Sequence, residues 1–417
     1  MTTFTYEKDL FPSSFDYFRI LRAFEMDTFD HPYYRLTKKL LLLIGQWPYQ
    51  KSSERRIRDF IVFMSLFSFF STQVLLYITY YGNIDILIET MAPLSAVTVC
   101  IVKYFTVRLN TEKIKQLLDH LIDNWKLCRT KEELEIMHKF GKETKLFTLC
   151  YTMYIYVCMT MFLLLPISPL IMDFVVPLNE SRPLKPIFKG EYFIDEDEHF
   201  FPVYFHMVIS IAISITALIT GDALFLMFNS HICGIFAAVG CRFENFLKDQ
   251  ADSKYSLDNL STDKCLENIR YSIRNHKSAL KFAELIESFY SVSLLLQSGL
   301  SLICMSISLF EMLIVVDNRA EAFRYFNFAV AQLLHLFCMC YPGQRMIDYS
   351  TDIRNKAYNG LWYEAPLSIH KLLILVIRKS LEPTYLTAGK IFIFCLETFA
   401  TILQTATSYF MVISSVH

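Results

Sequence analysis

The chain has 417 residues, of which 53% are hydrophobic, 15% aromatic and 19% charged, and its mean hydropathy is positive. Soluble domains of this size carry nearer a quarter charged residues. The formal net charge of −1 leaves no electrostatic case for nucleic-acid binding.

Residues Glu7, Lys8, Asp9 and Asp16 precede any long apolar run. That is the wrong order for a cleavable signal peptide, so the first segment is expected to stay in the cytosol. A bilayer-spanning helix needs about 20 apolar residues. Seven stretches qualify: 60–80, 84–102, 146–165, 203–226, 289–310, 325–341 and 386–416. The third, Leu146 to Leu165, and the fifth, Phe289 to Phe310, contain no charged residue.

Between the second and third spans, Ile114, Leu117, Leu118, Leu121, Ile122 and Trp125 fall at helical spacing. The connection 166–202 holds Pro166, Pro169, Pro177, Pro183, Pro186 and Pro202. It reads either as an ordered lid over the helix ends or as a plain surface loop. Asn268 to Glu287 continues helically into the fifth span, so helices projecting past the bilayer are expected to form a bundle. Pro366 to Leu381 is too short to cross. Its apolar residues, among them Ile369, Leu373 and Val376, mix with His370, Lys371, Arg378 and Lys379. It reads as a helix buried in that bundle or lying on the inner surface. Pro383 ends it, and the seventh span follows.

Lys and Arg accumulate on the cytosolic side of membrane proteins. Alternate segments divide them 35 to 5. The poor set is Arg182, Lys185, Lys189, Arg319 and Arg324. This puts the N-terminus in the cytosol and, with seven spans, the C-terminus outside. The sequon Asn179-Glu180-Ser181 and the acidic run Asp195-Glu196-Asp197-Glu198 then lie outside, where Asn179 can be glycosylated. Asn259-Leu260-Ser261 falls inside. The eleven cysteines sit in spans or cytosolic segments, so an external disulfide is not expected.

The last span carries a hydroxyl stripe. Thr398, Thr401, Thr405 and Ser408 recur at intervals of three, four and three, and Val412 and Val416 continue the face. Phe399, Ile402, Leu403, Phe410 and Met411 lie opposite. Hydroxyls on one face can line a wet pathway, and apolar rings can gate it by dewetting. They also serve as glue between transmembrane helices. A pore would need several subunits around an axis. Glu89, His335 and Glu397 are further polar groups within spans, a position that often marks function; no proton relay is assigned to them. No HExxH, CxxC, phosphate-cradling glycine loop or nucleophile elbow is present, so no enzyme activity, cofactor or metal site is expected.

The C-terminal third is similar to the insect odorant receptors. The residues that carry the likeness are Cys340-Tyr341-Pro342-Gly343-Gln344-Arg345, Ala357-Tyr358-Asn359 and Leu361-Trp362-Tyr363-Glu364. Leu386-Thr387-Ala388-Gly389-Lys390, Leu396-Glu397-Thr398-Phe399 and Ser408-Tyr409-Phe410 follow in order. Leu41-Leu42-Leu43-Ile44-Gly45-Gln46-Trp47-Pro48 looks like the family's N-terminal motif. Pro177-Leu178-Asn179-Glu180-Ser181-Arg182-Pro183 with Glu191-Tyr192-Phe193 resembles receptors of ants, bees and wasps.

The resemblance implies an all-α membrane protein with seven spans and a cytosolic anchor bundle. Residues 1–345 would hold six spans and the ligand pocket, and 346–417 the anchor helix and the pore-lining seventh helix. It implies an odorant-binding tuning subunit of a ligand-gated, non-selective cation channel. The partner would be the odorant receptor co-receptor in a heterotetramer, and the place the plasma membrane of an olfactory sensory neuron. The family's gate matches Val412 and Val416. Its pocket matches Met91, Leu94, Tyr154, Cys158, Met207, Ile211, Tyr325 and Phe328, any of which could equally be ordinary packing. An apolar, aromatic pocket suits a volatile or lipid-like odorant.

The alternative is a seven-helix G-protein-coupled chemoreceptor. That class needs the opposite orientation, an external disulfide, an Asp-Arg-Tyr-like triplet after the third span and Asn-Pro-x-x-Tyr in the seventh, none of which is present. A secondary transporter would show broken helices and inverted repeats, and none is found.

Overall fold

The computed structural model describes residues 28–176, 182, 184, 186–195, 198–247, 260–315 and 319–416. Among them are eleven α-helices: α1 Arg35–Leu43, α2 Ser52–Thr79, α3 Ile84–Leu109, α4 Thr111–Lys126, α5 Lys131–Leu164 and α6 Ser168–Val175. Then come α7 Phe200–Asn245, α8 Leu260–Ile314, α9 Arg319–Asn359, α10 Leu367–Lys379 and α11 Leu396–Val416. Two short strands, β1 Thr387–Ala388 and β2 Phe392–Ile393, pair antiparallel before α11.

The predicted spans correspond to α2, α3, α5, α7, α8, α9 and α11. Five of them, all but α9 and α11, are long and apolar enough to cross a membrane by length and composition. In α9, Gln332, His335 and Gln344-Arg345 dilute the apolar run; in α11, Glu397, Gln404 and the hydroxyls do.

Side chains define where helices start. Asn83 Oδ1 accepts from Ile86 N at 3.3 Å at the head of α3. At α5, Thr130 Oγ1 accepts from Glu133 N at 3.3 Å, and the Glu133 carboxylate accepts from Arg129 N at 2.9 Å. This reciprocal pattern satisfies donors that a helix start leaves orphaned.

The 46 residues of α7 extend roughly 69 Å at 1.5 Å per residue, more than twice the ~30 Å hydrocarbon core. Helices α8 and α9, with 55 and 41 residues, also exceed it. The surplus forms the expected bundle. There α4 buries Ile114, Leu117, Leu118, Leu121 and Trp125, and α9 buries Met346, Ile353 and Ala357. Trp125 Nε1 donates to the Tyr34 hydroxyl at 2.9 Å. Each fully buried Leu or Ile outside the lipid stabilises the bundle by roughly 1.5–3 kcal/mol.

One face of helix α10 is buried in the bundle, as one reading of its sequence expects. Ile369, Leu373 and Val376 are buried against the bundle, while Leu367, Ile374 and Leu375 face outward.

Helix α7 is the central post and packs against α2, α3, α5, α8 and α9. Gly234 permits close approach: a Cβ there would stand 3.2 Å from Met137 Sδ and Phe140 Cβ. A small residue at such a crossing lets the two helices pack close enough to gain dispersion contacts.

Two boundaries differ from the sequence reading. Helix α3 does not stop at residue 102 but continues through Lys103 to Leu109, because a partner inside the bundle neutralises that lysine. The seventh span starts at Leu396, not at 386. Residues 387–393 form the hairpin instead. Gly389 and Lys390 take φ of +61° and +60°, and Ile391 N donates to Ala388 O at 3.0 Å. Two successive positive φ values make a primed turn, which matches strand twist and halts a helix.

Candidate ligand cavity and pore-lining helix

Helices α3, α5, α7 and α9 enclose a cavity of about 140 Å³. Pro93 interrupts α3 at its wall; proline removes a backbone donor and crowds the preceding turn. Val97, Phe162, Ile211 and Phe328 supply apolar surface. Phe188, from the proline-rich connection, closes one side, with ring centroids 5.3 Å from Phe162 and 6.5 Å from Phe69. The described part of that connection therefore covers the helix ends. Ile187 beside it is buried, and Gln73 Nε2 donates to the Lys189 carbonyl at 3.1 Å.

A smaller recess adjoins the cavity and shares Pro93, Phe162, Phe188 and Phe328 with it. Its polar rim pairs Lys189 with Glu89 at 2.6 Å. The Arg324 guanidinium lies 4.8 Å from the Tyr325 ring centroid and donates to Ile187 O at 3.4 Å.

At the other end, Ser214, Gln332 and His335 reach the cavity wall. Behind His335 sits Asp222, fully buried on α7. Its Oδ1 accepts from Lys103 of α3. Its Oδ2 accepts from the Tyr151 hydroxyl of α5 at 2.5 Å and lies 3.1 Å from His335 Nε2 of α9. Four helices thus meet at one carboxylate. A buried charge is tolerable only when paired and hydrogen-bonded, and both oxygens are occupied here.

Of the expected pocket residues, the structure brings Cys158, Ile211 and Phe328 to the cavity and Tyr325 to the recess. It places the other four in packing. Met207 is buried among Phe69, Val203 and Tyr204, with Leu94 against the same cluster. Met91 lies beside Ala92, Cys304 and Ile307. Tyr154 packs on the main core.

Sequence reasoning missed Phe162, Phe188, Gln332 and, above all, Asp222. An acid inside the apolar run Ile219-Thr220-Gly221-Asp222-Ala223-Leu224 was a readable signal, because a charge there requires a partner.

Helix α11 packs against α8 and α9, with Ile402 and Ala406 buried and Phe399 set 5.7 Å from Phe337. Met411, on the face opposite the hydroxyls, is exposed. The hydroxyl face is largely bare. Thr401 donates to Glu397 O at 3.0 Å, Thr405 to Thr401 O at 2.7 Å and Ser408 to Gln404 O at 2.9 Å, while Thr398 donates to Ile393 O. Each proton is satisfied within the chain, leaving the oxygen lone pairs free to accept. Tyr409 and Val412 are 54% and 59% exposed. The side chain of Val416, and Asn179 with its sequon, lie outside the described residues. All eleven cysteines carry free thiols.

A profile described as 7tm Odorant receptor matches residues 83–407, and the chain belongs to that family. It is 26% identical to the odorant receptor coreceptor of Drosophila melanogaster over 148 residues, 35% of this chain and 30% of that protein. It is also 26% identical to odorant receptor 67c of Drosophila melanogaster over 171 residues, 40% of this chain and 39% of that one. The chain thus spans about a third of the length of the curated relatives it matches. Its fold is similar to the insect olfactory receptor OR5 from Machilis hrabei in complex with eugenol. The TM-score is 0.78 at 15% identity, covering 92% of this chain and 97% of the other.

Proposed function

We propose that this chain is the odorant-binding subunit of a heteromeric, ligand-gated, non-selective cation channel, with the cavity as odorant pocket and α11 as pore helix. The observation that carries this reading is the hydroxyl face of α11, which the subunit leaves exposed at Thr401, Ser408 and Val412 and half-buried at Thr398 and Thr405. Such a face is poorly suited to lipid and well suited to water between subunits. The partner would be the odorant receptor co-receptor in a heterotetramer, and the site of action the plasma membrane of an olfactory sensory neuron. The N-terminus would be cytosolic, the C-terminus and a glycosylated Asn179 external. Val412 and Val416 would form the gate. Met91, Leu94, Tyr154 and Met207 would support the pocket walls, with Cys158, Ile211, Tyr325 and Phe328 nearer the ligand. Residues 1–345 would carry sensing, and 346–417 anchoring and conduction.

The coupling route runs along α9. That helix supplies Phe328 and His335 to the cavity. Just over two turns beyond His335, Gly343 meets the backbone carbonyl of Phe394, where a Cβ would stand 2.0 Å from the oxygen. Phe394 lies two residues before α11 begins. An odorant that binds better to one setting of α9 would therefore shift the root of the pore helix.

The test is expression with and without the co-receptor, followed by a broad odorant panel. Odorant-evoked cation current in the co-expressing cells is the expected result. Silence across the panel, with protein at the cell surface, would sink the reading. An epitope tag on the C-terminus should stain intact cells; staining only after permeabilisation would reverse the orientation.

A further inference from the structure

We propose that His335 is a specificity-determining residue: its free ring nitrogen is a pre-oriented hydrogen-bond acceptor of the cavity, and it selects ligands that carry a hydroxyl donor. This rests on the cavity being the ligand pocket.

Asp222 determines the tautomer. The carboxylate accepts from Lys103 on one oxygen and from Tyr151 on the other. The His335 Nε2 that faces this second oxygen at 3.1 Å must therefore carry a proton. A neutral imidazole that donates through one nitrogen is an acceptor at the other, so Nδ1 holds a lone pair. Among the described residues Nδ1 has no hydrogen-bond partner, and the His335 ring lines the cavity whereas Asp222, Lys103 and Tyr151 do not.

Ser214, Asn327 and Gln332 also line the cavity. Ser214 gives its hydrogen to the Ser210 carbonyl at 2.7 Å and keeps acceptor lone pairs, but among the described residues no hydrogen bond orients the Asn327 or Gln332 amide, whereas Asp222 fixes the His335 ring. The walls are otherwise mainly aliphatic and aromatic. An alcohol or phenol can therefore put its carbon skeleton among Phe162, Ile211 and Phe328 and its O–H on Nδ1. An ether or alkane of equal size fills the same space and leaves the lone pair unmet. The Asp222 cluster acts as a positioning group, since it holds the ring in the accepting tautomer.

Two readouts separate this inference from the channel reading. The first is ligand-dependent melting of the purified full chain with straight-chain C6–C10 alkanols, each paired with its methyl ether and its alkane. The second is odorant-evoked current in cells co-expressing the co-receptor. One neutral hydrogen bond corresponds to roughly a fivefold to tenfold preference. Wild-type protein should show such a preference for alkanols over ethers. His335→Phe should abolish it while still binding both, because Asp222 keeps Lys103 and Tyr151. His335→Gln, which retains a donor and an acceptor, should restore part of it. Equal affinity for alkanol and ether in the wild type, or an undiminished preference in His335→Phe, would overturn the proposal. A melting preference without any current would leave His335 in place and count against the channel.

Discussion

Helices α7 and α11 both cross the membrane in the reading developed above, yet they are built on opposite plans. The apolar stretch of α7 is 78% buried, packed by neighbours on every side, and joined to three of them through Asp222. Helix α11 rests mainly on α8 and α9 and leaves Thr401, Ser408 and Val412 of its hydroxyl face exposed. Inside a bilayer, packing and buried polar links hold helices together. A helix rich in both is a fixed reference, and one with few is free to move. On the proposed reading the contrast makes α7 the frame and α11 the moving part.

The comparison can be broken from the frame side first. Asp222→Ala should have the largest effect. Removing one partner of a buried pair leaves an uncompensated charge and costs about 3–5 kcal/mol. The melting temperature in detergent should collapse and surface expression fall. A combined Asp222→Leu and Lys103→Met change should recover much of the loss, and a failure to recover would show that the cluster does more than hold the frame.

Gly343→Ala comes next. The added Cβ would meet the Phe394 carbonyl, and overpacking of this kind costs about 1–3 kcal/mol. Because the strain falls between α9 and the root of α11, odorant-evoked current should be lost while the alkanol-dependent melting shift persists. Gly389→Ala should be milder. It forces an L side chain into φ of +61° and brings Cβ to 2.4 Å from Leu295 Cδ2, and the left-handed backbone alone costs roughly 1–2 kcal/mol. A loss of a few degrees in melting is expected. Thr405→Val is the smallest: stability should hold, since the hydroxyl bonds only within its own helix, and single-channel conductance should fall modestly.

What the sequence could show follows from which interactions are periodic. The spans, the helical extension at 112–127 and the amphipathic α10 are legible because apolar residues repeat at helical spacing over many turns. The hairpin at 387–393 is not, because it depends on two successive left-handed residues, and only Gly389 announces one of them. The hydroxyl stripe of α11 is visible in the chain, whereas the cavity is not. Cys158, Phe162, Phe188 and Phe328 converge from two separate helices and a loop, and no local pattern records that meeting. Lys103 misled the boundary of α3 because a lone lysine reads as solvated until its partner is seen. Asp222 was that partner, and noticing both charges in apolar runs would have paired them.

The account's central claim is that the open face of α11 lines a water-filled ion pathway. Cysteine substitution tests it most directly. Thr405→Cys, Ser408→Cys and Val412→Cys on the open face, and Ile402→Cys and Ala406→Cys on the packed face, would be expressed with the co-receptor. Each would be exposed to a charged, membrane-impermeant thiol reagent during odorant application. The account predicts that modification changes the current at the first three positions and spares the last two. Equal sensitivity of both faces, or protection of the first three, would contradict it.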